Sequence, residues 1–177
     1  MKKLSAMVCM SGVCICVSLW RGMPALPFES NLLAGTVQSL LVTPGSVVFT
    51  ATDPDVPAVG PSSSAATWNI ASGSPSKNWQ ITVQASTSSL TNCPRVPVSA
   101  IRANCTGASV SGSGGSATCA PAFNLSITPQ ILASGKQALN TASYSTNLEL
   151  SFTDGWGYPA ATSPPCSISL TYTVIAQ

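Results

Sequence analysis

The sequence predicts an all-β protein: an antiparallel β-sandwich of about seven to nine strands that carries an apolar N-terminal extension. Three observations lead there. The last stretch, Cys166 to Ala176, alternates apolar and hydroxyl residues almost without error, which is the period of a half-buried strand. Similar runs recur along the chain with Gly, Pro, Asn or Ser at most joints. No heptad pattern, internal repeat or long helical period competes with them.

Taken in order, Thr36 to Val42 and Ser46 to Thr52 read as strands split by the turn Thr43-Pro44-Gly45. Residues 53–61 hold four prolines and glycines, and with the following serines they read as a loop, because proline cannot donate to a ladder. Ala66 to Ala71 and Asn78 to Ser86 follow as strands, the second placing Trp79, Ile81, Val83 and Ala85 on one face. Val96 to Ala103, Thr106 to Val110 and Ala117 to Ile127 are shorter candidates around the glycine-rich run Ser111 to Ser116. Pro129 to Asn140 is expected to supply at most a short helical turn, weakened by Gly135. Ser143 to Phe152 sets Leu148, Leu150 and Phe152 on one side, and Cys166 to Ala176 closes the chain. Trp68, Trp79, Phe49, Phe152 and Tyr172 are the expected large core residues.

The N-terminus has the layout of an export signal. Met1-Lys2-Lys3 is a basic start, Leu4 to Trp20 is uncharged and largely apolar, and Ala25 offers a small residue for cleavage. The apolar run is short for a membrane span, so a retained anchor is the lesser alternative. The expected organisation is therefore a signal peptide over residues 1–25, an N-terminal extension over 26–42 and a sandwich domain over 43–177. The protein is expected outside the cell and to meet a membrane only during export.

Removal of the leader leaves four of the seven cysteines: Cys93, Cys105, Cys119 and Cys166. An even number in an exported chain suggests two disulfides. Cys105 and Cys119 lie nearly equidistant from the Ser111 to Ser116 turn, and a hairpin there would pair them and leave Cys93 to Cys166. The sequential pairing, Cys93 with Cys105 and Cys119 with Cys166, stays open on sequence grounds. With no Cys-x-x-Cys pair and no histidine, a zinc site is disfavoured.

Charged residues make up 7% of the chain, against about 25% in an average soluble protein. Beyond residue 30, Lys77, Arg95, Arg102 and Lys136 balance Asp53, Asp55, Glu149 and Asp154 with no basic stripe, so nucleic acid is not an expected partner. The absence of histidine removes the usual general base of nucleophilic hydrolysis. Asp53 and Asp55 beside prolines are read as turn residues, since calcium wants six to eight oxygens. Neither catalytic residues nor a metal or cofactor is expected, and the chain is not read as an enzyme. Asn104-Cys-Thr and Asn124-Leu-Ser match a glycosylation pattern that also arises by chance. Trp156 and Tyr158, on the glycine-flexed stretch Phe152 to Tyr158, are candidates for stacking on a sugar or on a neighbouring subunit, the alternative being that one of them caps the end of the core.

The apolar extension suggests a mechanism. Leu32, Leu33, Val37, Leu40, Leu41 and Val42 would be sticky if left free, and strand addition to an open sheet edge is the physical way to bury them. The export signal, this extension, the hydroxyl-rich body with four cysteines and the terminal strand Cys166 to Ala176 together resemble bacterial pilin-type sandwiches assembled by donor-strand complementation. Spore-coat-U-like and archaic chaperone–usher pilins are the nearest in pattern. The resemblance implies an Ig-like sandwich and a structural filament subunit whose partners are copies of itself and an assembly chaperone. It also implies Leu26 to Val42, or part of it, as the donor strand. The second reading is a secreted carbohydrate- or surface-binding module that uses Trp156 and Tyr158.

Overall fold

A computed structural model describes residues 7–10, 13–16, 35–49, 58–153 and 165–177. The chain divides into two units, Met1–Leu32 and Leu33–Gln177. In the first, β1 (Met7–Met10) pairs antiparallel with β2 (Val13–Cys16). The second holds β3 (Thr36–Thr43), β4 (Ser46–Phe49), β5 (Ala58–Gly73), β6 (Asn78–Ala85), β7 (Ser89–Leu90) and β8 (Cys93–Pro97). A single 3-10 turn (Val98–Ala100) leads to β9 (Ile101–Ser111), β10 (Thr118–Cys119), β11 (Phe123–Asn124), β12 (Gln130–Lys136), β13 (Asn140–Thr153) and β14 (Cys166–Ala176).

Two five-stranded sheets form a sandwich-like arrangement, in the orders β10-β12-β6-β14-β4 and β11-β9-β13-β5-β3. β7 and β8 make a separate two-stranded ladder. All the ladders between described strands are antiparallel, so the predicted class holds. Two of the ten sandwich strands, β10 and β11, are only two residues long. The other eight form the body.

The core follows the alternation. Trp79, Ile81, Val83 and Ala85 of β6 face Trp68 and Ile70 of β5, with Tyr144, Leu148, Leu150 and Phe152 of β13 beside them, all buried. Phe49 and Tyr172 are buried as well, so the five expected large residues all lie inside. At the centre Trp68 stacks on Tyr144, centroids 5.7 Å apart at 13°, and Trp79 meets both rings edge-on at 5.3 and 5.4 Å. Offset and edge-on aromatic pairs add roughly 0.5–1.5 kcal/mol each beyond area burial. The Trp79 indole N–H is shared between the carbonyls of Ser116 and Lys136, and the amide of Ala138 donates to the Tyr144 hydroxyl at 2.8 Å.

Three expectations are corrected. The stretch from Pro129 to Asn140 contains a strand, β12, rather than a helical turn. Gly135 is there for a close approach, since a side chain at that position would collide with the carbonyl of Ser116. The loop expected through Pro61 and the serines gives way to β5 from Ala58 onward. Pro61 is accommodated because the register to β13 shifts between Leu150 and Phe152, where Ser62 and Val59 are the successive partners. The candidate Val96 to Ala103 is broken by the 3-10 turn Val98–Ala100, and its last three residues run on with Thr106 to Val110 as one strand, β9, which carries Gly107 at a register shift against Asn147 and Leu148. The expected Asp53 and Asp55 turn lies outside the described residues.

Candidate functional site

The strand that ends the chain is held unequally along its length. At its head, Cys166 to Ser169 pair with β4 on one edge. On the opposite edge, Ser167 bridges Thr91 and the Ser169 carbonyl accepts from Ser86. At its tail, Leu170 to Ala176 pair with β6, and beyond them Gln177 exchanges both backbone bonds with Asn78 at 2.9 and 3.1 Å. That exchange fixes the direction of every amide in the strand, because hydrogen-bonded and non-bonded pairs alternate in an antiparallel ladder. Thr171, Thr173 and Ile175 turn their N–H and C=O toward β6. Leu170, Tyr172, Val174 and Ala176 turn theirs the other way. The Leu170 amide accordingly reaches the Gly45 carbonyl at 3.3 Å. For Tyr172, Val174 and Ala176, no described residue supplies a ladder partner on that edge.

Opposite this edge stands β3, the last strand of the other sheet, whose ladder partner is β5. Thr43-Pro44-Gly45 carries the chain from β3 in one sheet to β4 in the other, so both strands line the same flank of the sandwich. The Ser64 hydroxyl donates to the Pro44 carbonyl and the Ser62 hydroxyl to the Val48 carbonyl, both at 2.9 Å, tying this crossing to β5. In the β3–β5 register Leu40 is opposite Trp68, Val42 opposite Ala66 and Val37 opposite Ile70. Side chains directly across an antiparallel pair share a face. All three β5 partners are buried, yet Leu40 is 39% exposed and Val37 and Val42 are only half-buried. Val174 and Ala176 of β14 are likewise half-buried, although they continue the core-facing series of Ile168 and Leu170. Among the described residues, the flank between β3 and the tail of β14 is a gap in the ladder: half-buried apolar side chains line it and one strand edge has no partner.

The opposite flank is closed covalently. Cys105 of β9 and Cys119 of β10 form a disulfide that links the two sheets there. Cys93 of β8 is joined to Cys166, which anchors the head of β14. Of the pairings left open by the sequence, the structure therefore has the hairpin one. Two disulfides are compatible with a secreted or extracellular protein.

Tyr172 lies where the gap begins. Its hydroxyl is buried beside the Ser64 hydroxyl but makes no hydrogen bond of good geometry, and Ser64 donates its own proton to Pro44. Burial raises the Tyr172 pKa above the ordinary tyrosine value, and the proximity of Ser64 offsets part of that rise. The indole N–H of Trp68 is also buried and unpaired.

The predicted site residues fall as follows. Val37, Leu40, Leu41 and Val42 are built into β3, laddered to β5 of their own chain, while Leu32 and Leu33 lie outside the described residues. Trp156 and Tyr158 also lie outside them. Leu41 points away from the core and is 65% exposed. The sequence suggested Cys166–Ala176 as an acceptor strand of an incomplete sheet but did not show which of its residues, here Tyr172, Val174 and Ala176, lack a ladder partner. The signal that pointed to it was the unbroken apolar face of Cys166 to Ala176, which runs past the last residue that β4 covers.

The described residues thus form an antiparallel β-sandwich-like arrangement in which the tail of β14 has one edge without a ladder partner. Comparison with protein-family models, curated proteins and solved structures returns no match.

Proposed function

We propose that this chain is the structural subunit of an extracellular filament, in which residues 26–34 of one copy fill the flank between β3 and β14 of the next. The observation that carries this reading is the combination of a backbone edge without a described partner, at Tyr172, Val174 and Ala176, with the apolar side chains of Val37, Leu40, Val42, Val174 and Ala176, which face the core but are only partly covered. An extended peptide fits both needs at once: it supplies main-chain hydrogen bonds along the edge and side chains for alternate pockets.

The donor lies before β3, because Thr36 to Thr43 complete the chain's own sheet. In the preceding segment Leu26, Phe28, Leu32 and Ala34 share one alternation phase with Ser30. One face of that segment is therefore suited to an apolar gap. Gly35, the residue that follows this segment, lies beside Ile70 and Ala71. That end also holds Asn78 and Gln177. A strand entering antiparallel to β14 would bring the donor's body to the far end of its acceptor. The contact is then head-to-tail, and such contacts give open filaments unless rotation closes a ring.

Negative-stain electron microscopy of the refolded chain tests the proposal. Filaments are expected for the full chain, with none after deletion of residues 26–34 and none when a synthetic peptide of that sequence is present in excess. A chain that stays monomeric at high concentration, or a deletion that still forms filaments, overturns it.

A further inference from the structure

Gln137, like Trp68 and Tyr172, is a buried side chain with hydrogen-bonding capacity left unused, and of the three it is the one that bonds the end of the chain after β14. It has no exposure to solvent. Its Nε2 donates to the carbonyl of Asn78 at 2.8 Å and to that of Gln177 at 3.2 Å, so it grips the start of β6 and the residue after β14. Its Oε1 has no partner. That oxygen faces the head of β3: a Cβ placed on Gly35 would stand 2.7 Å from it and 2.5 Å from Cγ2 of Ile70. The amide thus spans from the residue after β14 to the residue before β3, at the end of the flank where the described residues supply no strand. A buried carbonyl oxygen left unpaired is costly, and what it lacks is an N–H donor.

We infer that Gln137 is a register-setting residue for the inserted strand, its Oε1 accepting one backbone N–H from the incoming segment of a second copy. This rests on the filament reading above. A β-strand can slip along a free edge by two residues and keep its faces, so the apolar phase alone leaves the register loose. One fixed acceptor at the end of the gap removes that freedom. With the incoming strand antiparallel to β14, its N-terminal end lies at this mouth. Pro27 has no N–H, so the donor is the amide of Phe28 or Glu29.

The test uses freshly refolded full chain, before filaments form, and synthetic peptides of residues 26–34 in which one backbone amide at a time is replaced by an ester. Binding of the parent peptide is measured against wild type and Gln137→Met. In wild type, esters at alternate positions weaken binding through the lost β14 bonds, and the ester at Phe28 or Glu29 weakens it by roughly tenfold. In Gln137→Met only that last penalty disappears. If the parent binds and the ester at neither position matters in wild type, the inference is wrong whether or not the variant folds. It is equally wrong if the penalty survives unchanged in Gln137→Met. If the parent peptide does not bind at all, the filament reading fails, and this inference with it.

Discussion

Leu40 stands directly opposite Trp68 in the ladder between β3 and β5, yet Trp68 is 1% exposed and Leu40 39%. Two side chains on one face of one sheet should share one environment. They differ because Trp68 is roofed by Trp79 and Tyr144, at 5.3 and 5.7 Å, while the layer above Leu40 lacks a strand among the described residues.

The first prediction separates folding from assembly at this pair. Leu40→Asp is expected to cost the monomer no more than about 1 kcal/mol, since the position is already partly solvated. It should abolish filament formation, because an incoming strand would bury the charge. Trp68→Ala should instead cost about 3–5 kcal/mol in the monomer itself. Urea unfolding of both variants, with sedimentation of the assembled fraction, checks the contrast.

The disulfides differ in the loop each closes. Cys105 and Cys119 are 14 residues apart and Cys93 and Cys166 are 73 apart. On the chain-entropy relation, replacing the first pair by alanine should cost about 3 kcal/mol and the second about 4 kcal/mol. On the proposed function, the second change should also impair assembly beyond its effect on stability, because it frees the head of the strand proposed to receive the donor. Denaturant midpoints and filament yields under matched stability decide this.

Tyr172 makes an alkaline prediction. Its folded pKa is raised by burial, so the folded state holds the proton more tightly than the unfolded chain does. Its contribution to stability is intact below the ordinary tyrosine value near 10 and declines as pH rises from there toward the folded value. Tyr172→Phe should flatten the loss of thermal stability above pH 10. At pH 7 it should leave stability unchanged or slightly raised, since the hydroxyl has no hydrogen bond of good geometry to lose. A melting series from pH 7 to 11 on both proteins provides the measurement.

Much of the architecture was readable from side-chain alternation. β14 was legible from end to end because its core face is apolar at each second residue from Cys166 to Ala176. β6 was legible for the same reason in Trp79, Ile81, Val83 and Ala85. β12 was hidden because Gly135, read as a helix breaker, is a point of close approach to Ser116. The start of β5 was hidden by Pro61, which a register shift accommodates. The site was less legible still. A free edge depends on which strands pair, and Tyr172, Val174 and Ala176 look no different in sequence from the covered Ile168 and Leu170. Gln137 gave no signal either, because one glutamine in a polar stretch acquires its role only when Asn78, Gln177 and Gly35 converge on it.

The central claim is that the tail of β14 has one paired edge and one edge awaiting a strand. Residue-resolved amide hydrogen exchange, compared between monomer and filament, tests it most directly. In the monomer, Thr171, Thr173 and Ile175 should be protected, and Tyr172, Val174 and Ala176 should exchange rapidly. In the filament all six should be slow. Equal protection of the two sets in the monomer, or no slowing of the second set on assembly, would contradict the account.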